Sequence, residues 1–325
     1  MKPASLPVSR LGNHGPMVGD QGLGCMGMSE FYGATDQHAA RSTLERALEL
    51  GVNLFDTADM YGCGENETFL APFFQQNREK VIIASKFGYV RGPGNPDDWS
   101  LDNRPGYIKA AVERSLQRLG VDCIDLYYMH RRVADVPLEE SIGAMADLVT
   151  QGKVKWLGLC EVTAEELLAA NKVHPISALQ SQWSLFARGI EEQVVPAAVA
   201  SGIAIVPYAP LGRGLLTSSA FTQQLSQGDA RQHFPRFQAQ NHSANHKLVE
   251  RIERVAAERG ITCAQVALAW LYTRAGEAGV TAVPIPGTRQ VHRLEENTAA
   301  ATLRLSTAEM LELETLAACV QGVAI

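Results

Sequence analysis

The chain alternates eight times between a short apolar run and a longer amphipathic segment, beginning with GLGCM near Met26 and reaching its eighth run at VTAVPIPG. The apolar runs have the length of buried strands, while the longer segments repeat their apolar residues with a helical period. Strands that are apolar on both faces and separated by helices are typical of a parallel sheet that helices cover on both sides. Eight such units predict an α/β fold, a closed (β/α)₈ TIM barrel.

Residues 1–325 are predicted to form this barrel as a single domain, because no linker-like segment divides them and their number suits one barrel. One segment departs from the alternation. Residues 212–245, after the seventh strand, are polar and rich in Gly and Gln, and two extra helices follow them. Loops of that length usually cover a site, so we expect this one to fold over a bound ligand.

The composition argues against several classes of partner. The formal net charge is −6 and no stretch is strongly basic, so a nucleic-acid partner is not expected. No run of about 18 apolar residues occurs, so no membrane partner is expected either. The six cysteines form no CxxC pair and the N-terminal residues lack an apolar signal core, which together favour a cytoplasmic location. These features do not predict an oligomeric state.

Polar side chains stand where the predicted strands end, and barrels of this kind carry their chemistry at the carboxyl ends of the strands. The second strand runs into Asp56, with Tyr61 just beyond it; the third ends in Lys86 and the fourth in His130. Each residue alone has a structural explanation, such as a turn cap, an ion-pair partner, a loop anchor or a core histidine. Together they supply a proton donor, a cation that lowers its pKa, an anion that holds the cation, and a second donor.

These segments resemble the aldo-keto reductase family over nearly the whole chain. GVNLFDTADMYGCGENE, IIASKFG and DLYYMHR are similar to its catalytic segments, and LQSQWSL, VPYAPLGRGLL and VPIPGTRQVHRLEEN to its cofactor-binding segments. The combination of PLGRG with IPGTR resembles the bacterial and plant branch. The resemblance implies an oxidoreductase that reduces a small-molecule aldehyde or ketone to an alcohol. It also implies that Tyr61 protonates the carbonyl oxygen, that Lys86 and Asp56 ease this transfer, and that His130 orients the carbonyl.

The resemblance implies NADPH/NADP+ as the cofactor, with Tyr208 stacked on the nicotinamide ring and Gln180 holding its carboxamide. Cys160 and Glu161 stand where many relatives have Ser-Asn. An ionised Glu cannot donate a hydrogen bond, so we expect the nicotinamide to be held differently here. The full set that the resemblance assigns to the dinucleotide also includes Gly24, Cys25, Met26, Asp56, Ala209, Pro210, Leu211, Gly212, Arg213, Gly214, Ile285, Gly287, Thr288, Arg289, Arg293, Glu296 and Asn297.

Arginines are the predicted phosphate ligands, because guanidinium groups pair with phosphate through short, charge-assisted hydrogen bonds. Arg289 and Arg293 are predicted to share a face at the start of a helix and to bind the 2′-phosphate that NADH lacks. The alternative is that they pair with Glu295 and Glu296 on the surface. Segment 212–245 adds three further candidates, which are Arg213, Arg231 and Arg236.

The apolar and thiol side chains near the strand ends give a second set of expectations. Cys25, Cys63 and Cys160 are expected beside the cofactor or substrate, since each lies at or just past a strand end; for Cys160, simple burial is an equal alternative, because free cysteines are often fully buried. Candidates for an apolar substrate pocket are Phe31, Tyr32, Trp99 and Trp183; the alternative for each is a place in the core.

Two other functions fit parts of this pattern. Lys86 at a strand end could form a Schiff base with a carbonyl, as barrel lyases do, and a barrel of this kind could be a non-catalytic, nicotinamide-sensing regulatory subunit.

GLGCMG has the spelling of a Rossmann fingerprint, but no hydrophobic strand leads into it and no helix follows it directly. His242 and His246 share a helical face without a third ligand, so no metal is expected there.

Overall fold

A computed structural model of the chain describes residues 6–217 and 225–323, and it confirms the predicted parallel barrel. Seven parallel strands form one sheet, in which each strand pairs with its neighbour in the sequence. A short antiparallel hairpin precedes them. The hairpin strands are β1 (Val8–Arg10) and β2 (Met17–Gly19), and the barrel strands are β3 (Leu23–Gly24), β4 (Leu54–Asp56), β5 (Ile82–Phe87), β6 (Ile124–Met129), β7 (Val154–Cys160), β8 (Ile176–Gln182) and β9 (Ala204–Tyr208).

Residues 281–287 take the eighth position of the barrel without forming a regular strand. The Ile205 amide on β9 donates to the Thr281 carbonyl at 2.9 Å, and the Gly22 amide beside β3 donates to the Pro284 carbonyl at 3.0 Å. The segment therefore bonds on both sides and closes the barrel. Pro284 and Pro286 have no N–H to donate, which explains why the predicted eighth strand is interrupted.

Helices cover the outside of the barrel. Among the described residues, one α-helix follows each of β3 to β8, two follow β9, and three follow the closing segment. None of the helices within residues 6–217 and 225–323 combines the length and the apolar character that a membrane span requires. The helices are α1 (Gln37–Glu49), α2 (Glu65–Gln76), α3 (Pro105–Leu119), α4 (Leu138–Thr150), α5 (Ala164–Val173), α6 (Val194–Ser201), α7 (Ala239–Arg259), α8 (Cys263–Ala278), α9 (Val291–Ala299), α10 (Thr307–Leu313) and α11 (Leu316–Cys319).

The β1–β2 hairpin, which the sequence analysis did not predict, closes the amino-terminal end of the barrel. Leu11 and Val18 are fully buried and join the cluster of side chains that fills the barrel interior. The Asn13 amide donates to the Gly202 carbonyl at 2.8 Å. Gly12 has a φ of +65°, and a Cβ there would lie 2.5 Å from the Ser177 carbonyl oxygen. With this end closed, the carboxyl ends of the strands form the mouth of the barrel.

The segment after β9 is shorter than the predicted 212–245, because α7 already begins at Ala239. Its first residues are polar and mostly exposed, so they extend the helix without any apolar periodicity that would have marked them. Before α7, the described part of the segment consists of turns and short 3₁₀ helices. Residues 218–224 of the predicted 212–245 loop lie outside the described residues.

Candidate active site

The ammonium group of Lys86 organises the mouth of the barrel. Lys86 lies near the end of β5 and is completely buried. Its Nζ donates to Asp56 Oδ1 at 2.5 Å, to the Thr57 carbonyl at 2.8 Å and to Tyr61 Oη at 3.3 Å. An ammonium has three donors, and all three are used here. Burial of the charge is tolerable only because a carboxylate and two further oxygens compensate for the lost water.

Burial and charge set the protonation states of this group. Burial lowers the pKa of Lys86, but the neighbouring Asp56 and Tyr61 outweigh it and leave that pKa above its ordinary value. Burial raises the pKa of Asp56, while Lys86 and the Gln180 amide oppose the shift. Burial also raises the pKa of Tyr61 to about 12, against the lowering effect of Lys86. At neutral pH, therefore, Lys86 is charged and Tyr61 carries its proton.

His130 follows β6 and lies beside the Tyr61 phenol. The two rings meet edge to face, with centroids 5.9 Å apart, and the Tyr89 ring meets His130 in the same way at 5.1 Å. Burial, Lys86 and Arg131 hold the pKa of His130 well below its usual range, so the imidazole is neutral. Among the described residues, its Nδ1 has no hydrogen-bond partner. A neutral imidazole with an unpaired ring nitrogen is suited to bind a polar ligand atom.

A strained turn positions Tyr61. Three successive residues after it have positive φ, including Cys63 at +55°, a region that residues other than glycine rarely adopt. The Gly62 amide donates to Glu30 Oε2 at 2.7 Å. Asn66 accepts from the Thr57 hydroxyl at 2.6 Å and donates to the Cys25 carbonyl at 2.9 Å. These contacts explain why polar residues follow a buried strand here, since they fix the loop that carries the phenol.

Gln180 contacts Asp56 directly, which the sequence did not indicate. Its Nε2 donates to Asp56 Oδ2 at 2.7 Å in the buried interior of the mouth. Cys160, which is in register with Gln180 on the neighbouring strand β7, is also buried, and burial raises the pKa of its thiol to about 12. Glu161 is exposed, with a φ of +51°, and its carboxylate accepts from the Gln182 amide at 2.7 Å. Tyr208 is half-buried at the end of β9.

Arg289 holds a neighbouring loop in place. Its guanidinium donates to the Gly27 and Tyr32 carbonyls at 3.1 and 2.9 Å and to the Thr35 hydroxyl at 2.9 Å, all in the loop between β3 and α1. Arg289 also precedes Gln290, the N-cap residue of α9, so it lies outside the helix on which Arg293 is exposed. The predicted shared helical face is therefore wrong.

The alternative ion pairs of Arg289 and Arg293 with Glu295 and Glu296 are not formed among the described residues. Glu295 instead pairs with Arg46 of α1 at 2.7 Å. In the described ranges, no salt bridge joins Arg289 or Arg293 to Glu295 or Glu296. The surface-pair explanation thus has no support in the contacts of this helix.

The three arginines predicted to clamp phosphates have different surroundings. Arg231 pairs with Asp229 at 2.7 Å, and Arg236 donates to the Gly322 carbonyl at 3.1 Å. Arg213 has a φ of +59° and stacks its guanidinium 4.5 Å from the Phe234 ring centroid. Its buried Nε has no hydrogen-bond partner in the described chain. Of the three, Arg213 is thus the one that keeps a buried donor unpaired at the mouth.

Aromatic side chains line the mouth beside His130. Tyr89, which the sequence analysis missed, meets Trp99 edge to face at 6.1 Å, and Phe31 lies 6.4 Å from Trp99. Trp99 is 49 % exposed. Trp183 is completely buried in the core, so of its two alternatives the structure supports the core and not the pocket. The position of Tyr89 just past the third barrel strand was the signal that could have identified it.

The remaining predicted residues lie on segments that meet at this mouth. Cys25 is completely buried, like Cys160, and burial raises the pKa of its thiol, so neither is an accessible nucleophile. Gly24 and Gly287 pair directly across the closing seam. Ile285 lies in the closing segment, and most of the others follow β9 or that segment or lie on α9; they are Ala209, Pro210, Leu211, Gly212, Gly214, Thr288, Glu296 and Asn297. Met26 differs from these in following β3.

Within residues 6–217 and 225–323, no group of three or more His, Cys, Asp or Glu side chains could hold a metal ion. His242 and His246 stack on each other along α7, with ring centroids 6.4 Å apart.

Comparisons with known proteins agree on one family. The family described as "Aldo/keto reductase family" matches residues 22–318. A curated relative from Schizosaccharomyces pombe, named "Aldo-keto reductase yakc [NADP(+)]", is 40% identical over 315 residues, which are 95% of this chain and 91% of that protein.

Solved structures extend this likeness to the fold. A holo-form aldo-keto reductase from Bacillus halodurans matches with a TM-score of 0.76 and 26% identity, covering 98% of this chain and 97% of its own. A glycerol dehydrogenase from Gluconobacter oxydans matches with a TM-score of 0.84 and 25% identity, covering 98% of this chain and 96% of its own.

Proposed function

Because the chain belongs to the aldo/keto reductase family and is an oxidoreductase, we propose that it reduces aldehydes or ketones to alcohols with NADPH. One observation carries the proposal. A buried chain of hydrogen bonds joins Asp56 to Lys86 and Lys86 to the phenol of Tyr61, with the neutral His130 beside it. Such a chain supplies a proton donor together with the charge that stabilises its conjugate base.

Tyr61 is the general acid in this proposal. With a pKa of about 12, the phenol keeps its proton at neutral pH, as reduction requires. When the proton leaves, the phenolate forms 3.3 Å from the Lys86 ammonium, which stabilises the new negative charge. Asp56 serves Lys86, because a buried ammonium without a carboxylate would lose its own proton instead. The reduced nicotinamide, when bound, supplies the hydride to the carbonyl carbon.

His130 orients the carbonyl. Its low pKa keeps the imidazole neutral, so it donates one hydrogen bond without adding a second buried charge beside Lys86. The edge-to-face contacts with Tyr61 and Tyr89 restrict the ring, which keeps that donor beside the acid.

The residues at the mouth fit a dinucleotide phosphate. Arg213 offers an unpaired buried donor, and a guanidinium matches the oxygens of a diphosphate. Burial lowers the pKa of Arg289; Asp229 opposes the shift, and the nearby charges of Arg231 and Arg293 add to it, so three guanidinium groups lie close to one another here. In this proposal Tyr208 stacks on the nicotinamide, and Arg293 with Thr288 holds the 2′-phosphate. The name of the yeast relative, which includes NADP(+), supports this choice of cofactor.

The contacts of Lys86 argue against the Schiff-base alternative. A lysine nucleophile must be neutral, whereas Asp56 holds the pKa of Lys86 above its ordinary value despite burial. A regulatory subunit that only senses the nicotinamide has no need for a buried acid and its charge partner.

A panel of aldehydes and ketones with NADPH or NADH, followed by the absorbance of the reduced nicotinamide, tests the proposal. Carbonyl-dependent oxidation of NADPH is expected. Binding of NADPH without oxidation by any carbonyl would favour the sensing subunit, and a covalent adduct trapped on Lys86 by borohydride would favour the lyase.

A further inference from the structure

The hydrogen bond between Gln180 and Asp56 spans the mouth of the barrel. Asp56 ends β4 and Gln180 lies on β8, and these strands stand on opposite sides of a barrel with eight positions. Gln180 Nε2 donates to Asp56 Oδ2 at 2.7 Å, while Lys86 Nζ donates to the other oxygen, Oδ1, at 2.5 Å. Each oxygen of the Asp56 carboxylate therefore has its own donor.

Asp56 fixes the direction of the Gln180 amide. An ionised carboxylate only accepts hydrogen bonds, so the amide nitrogen must face Asp56 and the amide oxygen must face away from it. Tyr128, which is completely buried, lies close to both side chains. That ring is itself confined, since a Cβ on Gly158 would come within 2.3 Å of it. Gln180 thus offers a ligand one acceptor oxygen in a fixed orientation.

We propose that Gln180 is a positioning residue for proton transfer. Its amide nitrogen holds Asp56, which holds Lys86 against the Tyr61 phenol, and its amide oxygen accepts from the carboxamide NH₂ of the bound nicotinamide. The inference rests on the proposed function and adds a physical link from the cofactor to the acid. Without the Gln180 amide, Lys86 is the only one of these two donors left to the Asp56 carboxylate, and Asp56 holds the ammonium more strongly. Lys86 then stabilises the phenolate less, so Tyr61 becomes a weaker acid.

Gln180→Met removes the donor with little change in side-chain length. At saturating NADPH, its kcat is expected to fall roughly tenfold to hundredfold, the loss typical of one hydrogen bond to a charged group. Gln75→Met is the matched control. Gln75 is a glutamine on α2 that donates an exposed hydrogen bond, to the Gly120 carbonyl at 3.2 Å, and its loss should leave kcat unchanged.

Gln180→Glu converts the same contact into a pH-dependent one. Two carboxyls at this separation share one proton, which makes the new side chain a donor in acid and a repelling charge in base. Its kcat should therefore be nearest to wild type at low pH and fall as the pH rises, a limb that wild type lacks. Gln75→Glu should show no such limb.

The groups packed around this contact do not produce that limb themselves. The pKa values of the phenols, thiols and ammonium are all raised, those of Tyr61 and Cys160 to about 12 each, and that of His130 is well lowered. Below pH 8, a new ionisation thus belongs to the carboxyl pair. The groups are Asp56 on β4, Lys86 on β5, Tyr128 on β6, Cys160 on β7, and Cys25, Tyr61 and His130 on the connecting segments.

The readouts separate this inference from the proposed function. If both Gln180 variants change only the KM or Kd of NADPH, and kcat and its pH profile stay as in wild type, Gln180 serves the cofactor alone and the inference is wrong. If none of the aldehydes and ketones in the panel supports oxidation of NADPH by the wild-type protein, the proposed function is wrong.

Thermal unfolding without cofactor tests the contact in either case. The carboxyl pair of Gln180→Glu has a raised pKa in the folded protein. Its contribution to stability is therefore full below the unfolded pKa of about 4 and is lost as the pH rises through the folded value. If the unfolding temperature of Gln180→Glu depends on pH no more steeply than that of Gln75→Glu, residue 180 does not contact Asp56 and the inference is wrong.

Discussion

At the scale of the residue, the site depends on one buried charge and the atoms that surround it. Lys86 has no exposed surface, and all three of its donors are committed to oxygens of Asp56, Thr57 and Tyr61. The arrangement therefore tolerates little change. Removing the Asp56 carboxylate or the Tyr61 hydroxyl leaves a buried donor unpaired, which costs more than the net value of the hydrogen bond itself.

Tyr61→Phe is expected to lower kcat for carbonyl reduction by about 10²–10⁴-fold, the usual contribution of a general acid, while NADPH binds as in wild type. The variant removes one hydroxyl and keeps the ring that packs on His130. Steady-state kinetics and NADPH titration measure the two effects. Tyr272→Phe is the control, because its buried hydroxyl binds the Asp20 carbonyl away from the mouth. Retention of more than about a tenth of wild-type kcat in Tyr61→Phe would show that another group is the acid.

Single residues also show where inference from sequence stops. The positions of Asp56, Lys86 and His130 could be predicted because each directly ends or follows a strand, and strands are visible in the local pattern. The partners of Gln180 and Arg289 could not. Gln180 bonds to a residue 124 positions away, and Arg289 to one 257 positions away. Such contacts depend on how the closed barrel brings distant segments together, which no local period encodes.

At the scale of the element, α9 and the residues before it carry two arginines with different surroundings. Arg289 joins the closing segment to the loop between β3 and α1, whereas Arg293 is exposed on the helix. The sequence presents them as a pair because they are four residues apart. The boundary of the helix separates them, since Gln290 is its N-cap.

Removing the two arginines should therefore have different effects on cofactor binding. Arg293→Ala is expected to weaken NADPH by about tenfold or more and to leave NADH almost unchanged, since only NADPH carries the 2′-phosphate. Arg289→Ala is expected to weaken both cofactors, because it releases the loop that lies at the mouth. Titrations of both cofactors measure this, with Arg254→Ala on the surface of α7 as control. Equal losses of NADPH and NADH in Arg293→Ala would contradict a phosphate role.

At the scale of the whole molecule, stability and chemistry occupy opposite ends of the barrel. The β1–β2 hairpin closes the amino-terminal end, and the site lies at the carboxyl ends of the strands. The hairpin went unpredicted because its strands are three residues long and show no clear alternation. Its effect on the fold nevertheless reaches the strands it covers, through contacts at Gly12 and Asn13.

Gly12→Ala is expected to destabilise the fold by about 1–3 kcal/mol and to leave kcat unchanged. The added Cβ would meet backbone oxygens at 2.5 and 2.8 Å, and the φ of +65° disfavours any residue but glycine. Urea unfolding measures the change. Gly94→Ala, where a Cβ meets nothing within 4 Å, is the control. Wild-type stability in Gly12→Ala would mean that the hairpin does not press on the barrel end.

The two prolines of the closing segment give the barrel a preferred place to open. A ladder that lacks the donors of Pro284 and Pro286 is held by fewer bonds there than at the pairing of β6 with β7. Local openings begin where backbone bonds are sparse. The amides of Gly22, Ile205 and Ile285 should therefore exchange with deuterium sooner than those along β6 and β7, as mass spectrometry of peptides can measure. Equal exchange rates would mean that all strand pairs of the barrel open together. Earlier exchange at these three amides would identify the closing segment as the place where water first reaches the backbone of the sheet.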